Sequence, residues 1–446
     1  MKRFRCLTVL MIAAFVSLPV VAQDLGIERD RAKNMLKVVS KDIEKNFYDP
    51  QLKGLDWKAL TAAAETKINN AKTPGEMLTA VFSLVDKLQD SHTQFLPPAH
   101  TSRPLYGFEA KAFGDDIRIY QIKAKSAAAQ AGLQIGDRIV NINGFGAERS
   151  SFDLMMLYYR RLRPVPALKI TYQHGSADPQ AIVLQAKVKK EVMVVDLKDD
   201  LNLWRWLYED EQPRVDYYLT LDDGIAYIQV SDFVTEEVGV VHKLEAPKAV
   251  VVDLRGNSGG LQSAVLELAG HFEPAQTSMG ETVTRKKTEP LKIKPQKPNL
   301  TVPMVILVDS RSASAAEMFA RHFQRTGHAV IVGDRSSGRV NSSLFYSEQL
   351  GTERLTLFGV QVSVGHIVFP GGEELEHHGV SPDVPCLPTN DDLLARRDPC
   401  LNRAFMTARE KAGLPAELPG ALTQRINSFA AGVAADRQKR LDSTPD

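Results

Sequence analysis

The sequence predicts an α/β multidomain protein in which a small helical unit and a β-rich unit precede an α/β core. Three observations carry this reading. Apolar residues recur at helical spacing through residues 24–100, and strand-like alternation replaces that spacing over 104–189. Buried-strand runs then alternate with helical segments over 190–400. A chain of 446 residues is also too long for one compact core. With 43% hydrophobic and 24% charged residues it has an ordinary globular composition.

In the helical unit, Ala32, Met35, Leu36, Val39, Ile43 and Phe47 mark one face of a helix from Glu28 to Phe47. A second helix is expected from Trp57 to Ile68. A third opens at Thr73-Pro74-Gly75-Glu76, with Thr73 as N-cap, proline in the first turn and Glu76 closing a capping box. It runs through Leu78, Val81, Val85 and Leu88, and the unit ends at Asp90-Ser91-His92-Thr93, before the breaker pair Pro97-Pro98. In the core, strands are expected at Ala226–Val230, Ala249–Leu254, Val302–Val308, Ala329–Val332 and Gln361–Val364, with helices from Ser263 and Ser314. Residues 285–300, rich in Lys and Pro, read as a solvated loop or flap. Residues 401–446 read as a helical tail without recognisable chemistry.

The first residues bear on destination. Lys2, Arg3 and Arg5 precede an apolar run from Cys6 to Val21 that ends in small residues, the pattern of a signal peptide over 1–22 cleaved after Ala22. An uncleaved anchor is the alternative. Cleavage predicts a periplasmic or secreted protein with no membrane span. It also leaves 52 of the 55 basic residues against 54 acidic ones, a balance that gives no field to recruit nucleic acid. Cys6 leaves with the signal, and Cys386 and Cys400 remain. In an oxidising compartment they form either a disulfide or two buried thiols. No cofactor is indicated. Adjacent histidines such as His377-His378 point apart and have no companion cluster, so no metal site is expected.

Within the β-rich unit, the stretch from Ser126 to Gly144 places a short helix ending at Gly132, a turn at Gly136-Asp137 and a strand over Ile139–Ile142 before Asn143-Gly144. It resembles a PDZ domain, assigned to 104–189. That likeness implies a groove-lining helix at Phe152–Leu162 and a loop at Tyr106-Gly107-Phe108 whose N–H groups bind a peptide's terminal carboxylate.

The chemistry centres on Ser312-Ala313-Ser314-Ala315-Ala316-Glu317. A serine between a strand end and a helix start is well placed for acyl transfer, because the helix N-terminus offers free N–H groups to an oxyanion. The same residues also spell a capping box, which is the plain alternative. Upstream, Asp253-Leu254-Arg255-Gly256-Asn257-Ser258-Gly259-Gly260 follows a buried strand, so Gly259 or Gly260 could donate a second oxyanion N–H beside that of Ala315.

These two motifs, followed by Glu376-His377-His378-Gly379-Val380-Ser381-Pro382-Asp383, resemble the tail-specific (C-terminal processing) serine peptidase family over about residues 28–390. The resemblance implies a crotonase-like core and Ser314 as nucleophile. Many members activate that serine with a lysine in a later Gly-Lys-Gly segment. Here Gly338-Arg339-Val340 stands there, and no lysine occurs from Pro298 to Glu410. Arginine stays protonated and cannot be the base. The family's tricorn-like branch instead takes a histidine from the helical N-terminal unit. This implies His92 as base, with Ser91 and Glu376 polarising it. Taken alone, His92 could equally be a surface or capping histidine.

The expectation is an exported serine endopeptidase acting on peptides or proteins. Its alternatives are a catalytically inactive scaffold that binds a peptide or hydrophobic ligand, or a PDZ adaptor retaining a dead enzyme domain. The oligomeric state is not legible.

Overall fold

The computed structural model describes residues 25–98, 102–190, 215–233, 238–351 and 356–443. The signal-like run 1–22 lies outside these residues. Helix α1 (Leu25–Asn46) buries Ala32, Met35, Leu36, Val39 and Ile43, the stripe its spacing announced. Helix α2 (Trp57–Asn70) is capped by Asp56, and α3 (Pro74–Asp86) by the Thr73 hydroxyl, which accepts the Glu76 N–H. The Glu76 carboxylate reaches one residue further back than a capping box requires, to the Lys72 N–H at 2.7 Å.

This helical unit is not sealed on itself. Strand β1 (Gln94–Leu96) pairs antiparallel with a long core strand, Thr356–Val368, numbered β18 below. Phe358, Val360 and Val362 of that strand pack into the same apolar cluster as Val39, Ile43 and Met77. The pairing holds the residues just before β1, including His92, against the core.

The second unit begins with β2 (Ser102–Leu105), which pairs with β9 (Lys187–Lys190). Between them lie β3 (Phe108–Phe113), β4 (Asp116–Ile122), α4 (Ala127–Gln130), β5 (Arg138–Ile142), β6 (Phe145–Gly146), α5 (Phe152–Leu157), β7 (Ala167–Gln173) and β8 (Gln180–Gln185). The sheet order is β3-β4-β5-β7-β8, with β6 paired to β5, so β3 lies at one edge. Alternate residues Phe108, Ala110, Ile117, Ile119, Leu168 and Ile170 form its interior with Phe152 and Met156 of α5.

The core holds a six-stranded sheet in the order β10-β11-β12-β15-β16-β19. Its members are β10 (Tyr218–Thr220), β11 (Ile225–Gln229), β12 (Ala249–Asp253), β15 (Met304–Val308), β16 (Ala329–Gly333) and β19 (Val384–Pro385). From β11 onward all pairs are parallel. Every residue of β12 and β15 is buried, as continuous Val/Ile/Leu runs require when helices cover both faces. Val250, Val252, Ile306 and Val308 face α6 (Gln262–Gly270) and α7 (Ala315–Arg325). Val251, Val305 and Leu307 face α9 (Pro399–Lys411) and α10 (Gly420–Ser443), which follow a short α8 (Asn390–Leu394). The tail therefore completes the core by covering one face of the sheet.

A second sheet joins β13 (Thr277–Thr284), β14 (Thr288–Ile293), β17 (Ser342–Leu350) and β18 to β1. Here the structure corrects the expected loop at 285–300: residues 288–293 form a strand that buries Leu291 and Ile293. Five lysines and three prolines among sixteen residues hid a two-residue apolar alternation from a reading by composition.

Cys386 and Cys400 are joined as a disulfide, Cα–Cα 5.6 Å, tying the end of β19 to the first turn of α9 across 14 residues. Cross-linking a loop of that length restricts the unfolded chain by about 3 kcal/mol. A Cys400→Ser variant, or thiol reduction of the wild type, should lower the urea stability of the core by about that amount. Unchanged urea midpoints would show that the bond adds nothing.

Candidate active site

Ligands of parallel α/β sheets gather at the carboxyl ends of the strands. Three loops meet there in this core: 254–261 after β12, 309–314 after β15 and 334–341 after β16. Ser314 closes the second and starts α7, with φ 55° and ψ −118°. A non-glycine residue in that region costs about 1–3 kcal/mol and persists only when its surroundings hold it. The Ser314 N–H is held by the Arg339 carbonyl at 2.7 Å and by Glu317 Oε2 at 3.1 Å. The Glu317 N–H goes to the Ser314 carbonyl at 2.9 Å, and Ser314 and Glu317 stand in the reciprocal arrangement of a capping box. The capping box expected from the sequence is therefore present, and Ser314 is both the cap of the helix and the residue held in the strained turn.

Glu317 was legible only as a cap. In the fold it is fully buried and collects three further donors: Ser336 Oγ at 2.5 Å, Gly338 N at 2.7 Å and Arg339 N at 2.9 Å. Burial pushes its pKa up to about 7 against the lowering effect of these bonds.

Gly259, at φ 99°, presses on the serine. A β-carbon there would lie 2.5 Å from Ser314 Cβ and 3.1 Å from the Ala315 nitrogen, so only glycine fits. Its own N–H is committed to Asn257 Oδ1 at 2.8 Å. Of the two glycines, Gly260 keeps an N–H without an acceptor among the described residues, as does Ala315 at the helix start.

The other half of the site arrives from the helical unit. His92, 4% exposed, places Nδ1 2.9 Å from Ser91 Oγ, while its backbone N–H reaches Asp90 Oδ1 at 3.2 Å. Ser91 leads to Glu376, whose Oε1 accepts the Ser91 N–H at 3.0 Å. Glu376 Oε2 accepts the Val340 N–H at 3.0 Å. Residues 91, 92 and 376 are thus one continuous chain of contacts. Burial first, and the Arg339 charge second, lower the His92 pKa to about 4, against the pull of Glu376 and Asp90. At neutral pH the imidazole is uncharged. Among the described residues no hydrogen bond joins His92 to Ser314; Arg339 stands between them, its guanidinium 2.9 Å from the Ser91 carbonyl.

A cavity of about 1270 Å³ opens between the units, lined by His92, Arg339, Ala313 and Ser258 on one side and by Phe108, Ala110 and Met156 on the other. Tyr106 and Phe108 turn their side chains into the interior of the second unit, Tyr106 Oη donating to the Val165 carbonyl at 2.9 Å. Only backbone of that loop is left to meet a ligand. Gly107 makes the turn at φ 82°, packed on Ser126. Further along β3, the Ala110 and Ala112 carbonyls accept from Arg311 Nη2 (2.8 Å) and Ser310 Oγ (2.6 Å), and Lys111 pairs with Asp309 at 2.5 Å. A peptide laid along the whole of β3 would compete with these bonds. His377 and His378 make separate contacts with backbone carbonyls of Gln89 and Glu376, and no metal-binding cluster occurs among the described residues.

A serine in a strained turn between strand and helix, at the carboxyl end of a parallel sheet, is an arrangement compatible with acyl transfer. Residues 224–386 match the model of peptidase family S41. The chain is 26% identical over 342 residues to the chloroplastic carboxyl-terminal-processing peptidase 1 of Arabidopsis thaliana, an alignment covering 71% of this chain and 64% of that protein. It is 25% identical over 326 residues to the carboxyl-terminal-processing protease of a Synechocystis strain, covering 69% and 70%. The crystal structure of a CPAF mutant superposes with a TM-score of 0.65 at 12% identity, covering 88% of this chain and 99% of that one. The chain is thus similar to carboxyl-terminal-processing serine peptidases, with the match to peptidase family S41 lying over residues 224–386. The family model spans the core alone, narrower than the expected 28–390. His92 and Ser91 lie outside it, so their case rests on the contacts described above.

Because folding leaves His92 neutral, the unfolded chain takes up this proton first as pH falls. Its contribution is therefore full above the ordinary pKa of 6.5 and is lost as pH falls towards 4. Urea unfolding of wild type and His92→Gln at pH 7 and pH 5 should show wild type losing on the order of 2 kcal/mol more over that interval. Glu317, with its raised pKa, acts in the opposite sense but is common to both proteins. Equal losses would show that His92 titrates normally.

Proposed function

We propose that this chain is an exported serine endopeptidase whose nucleophile is Ser314 and whose base is His92. It belongs outside the cytoplasm on this reading, in keeping with the signal-like start and the Cys386–Cys400 bond. Among the described residues no helix is long and apolar enough to cross a membrane. The 104–189 unit, read as a PDZ domain, binds substrate C-termini through backbone groups at Gly107 and the start of β3, where the edge is not taken by the core.

The observation that carries the reading is the Glu376–Ser91–His92 relay held beside the strained Ser314 turn. With Nδ1–H donated to Ser91 Oγ and the Ser91 hydroxyl donated to Glu376, the Nε2 lone pair is left to act. His92 Nε2 takes the Ser314 proton as Oγ attacks the substrate carbonyl carbon. The oxyanion is met by the Ala315 and Gly260 N–H groups. The imidazolium then gives its proton to the departing amine, leaving an acyl-enzyme that water hydrolyses by the same route. The step requires His92 and Ser314 to close on each other when substrate arrives, as catalytic hydrogen bonds commonly do.

The open His92–Ser314 link favours one second reading, an inactive scaffold that holds a peptide in the cavity. Turnover of a peptide library by wild type, Ser314→Ala and His92→Ala separates the two. Each substitution should lower kcat by about 10³-fold or more. Equal residual turnover in all three proteins would reject the catalytic reading. A peptidyl phosphonate should label Ser314, and more slowly in the His92 variant.

The acid limb of kcat/KM should also fall near pH 4, because His92 must be neutral to act. Activity then rises with pH through that value and is full at neutrality. A limb near pH 6.5 would show an imidazole in water, not one buried beside Arg339.

A further inference from the structure

Arg339 stands where lysine was expected, and it forms a different kind of link. Three consecutive residues there reach every part of the site. The Arg339 carbonyl accepts the Ser314 N–H at 2.7 Å, and its N–H donates to Glu317 Oε2 at 2.9 Å. The Val340 N–H donates to Glu376 Oε2 at 3.0 Å, and Asn341 Nδ2 donates to Asp90 Oδ2 at 3.0 Å. One side-chain contact closes the span: Arg339 Nη2 donates to the Ser91 carbonyl at 2.9 Å. That carbonyl belongs to the peptide bond leading into His92. No carboxylate pairs with the Arg339 guanidinium among the described residues, so its main partner is the backbone that carries the base.

We propose that Arg339 is a positioning residue of the peptidase reaction, whose guanidinium holds the Ser91–His92 backbone at a set distance from the Ser314 turn that its own carbonyl supports. The inference rests on the Ser314–His92 reading and adds to it the part that joins two separately built halves. His92 comes from the end of the helical unit and Ser314 from the core, and a misplacement of about 1 Å between them costs about 10²-fold in rate. A planar, permanently charged fork suits the task. It keeps one N–H on the carbonyl while its charge opposes protonation of His92, against Glu376 and Asp90, which favour it. A lysine there would keep the charge but lack the planar fork.

The test compares Arg339→Met and Arg339→Lys with wild type and His92→Ala, all checked by circular dichroism and thermal melting. Two readouts are taken: kinetics, and NMR titration of the His92 ring in histidine-labelled protein. Arg339→Met should lower kcat about 10–100-fold with KM within about twofold, and should move the His92 titration upward. Arg339→Lys should keep the low titration and recover part of kcat.

Arg339→Met with wild-type kcat and titration would overturn the proposal. So would a loss of kcat that follows a fall in melting temperature, leaves the titration unmoved and is not rescued by lysine, because that pattern marks a merely structural brace. Full activity in His92→Ala would reject the base assignment instead. The ring titration in Arg339→Met would still report whether the guanidinium acts on His92.

Discussion

Four donors converge on the buried carboxylate of Glu317, and the Ser314 turn exists in its present form because of them. The Ser314 N–H, the Ser336 hydroxyl and the Gly338 and Arg339 N–H groups all point at it. A carboxylate so enclosed is expensive to desolvate, which is why its pKa rises. In return it binds the loop after β15 to the loop after β16. Without that tie, nothing in a Ser-Ala-Ala-Glu segment would keep a serine at positive φ.

The same loops meet the rest of the molecule through charged contacts. Arg255 links Asp253 at the end of β12 to Asp398, the N-cap of α9, and the disulfide fixes the turn that follows. Asp309, held in its charged form by Lys111 and by the Gly256 N–H, joins the 309–312 loop to the second unit. Arg149 does the same for the 334–336 loop through Asp334. The two loops that shape the site are therefore also the surfaces on which the β-rich unit sits.

Much of the fold was legible because burial leaves a periodic mark. The stripe of α1 and the continuous apolar runs of β12 and β15 appear as soon as spacing is counted. Strand β14 did not, because the lysines and prolines of the surrounding 285–300 segment outnumber the alternating Leu291 and Ile293. At the site, Ser314 was visible from its position between strand and helix, and the glycine turn from its composition. Two facts were not. The Gly259 N–H is already used by Asn257, leaving Gly260 as the free donor, and Glu317 is a hub where the sequence shows only a cap. The first depends on how the Asn257 side chain folds back within its own turn, the second on donors that arrive from a loop 19 to 22 residues further along the chain.

By itself, the sequence determined most of the elements, β14 excepted, together with the candidate nucleophile and the exclusion of lysine as its base. These follow from residue chemistry and local period, which need no partner. The tertiary structure alone decided that Ser91, His92 and Glu376 belong to one chain of contacts, 285 positions apart in sequence at its longest bond. It also decided that Arg339 spans the gap between that relay and Ser314. Such relations are set by the pairing of β1 with β18 and the packing of helices on both, and no local pattern encodes a distance between two distant loops.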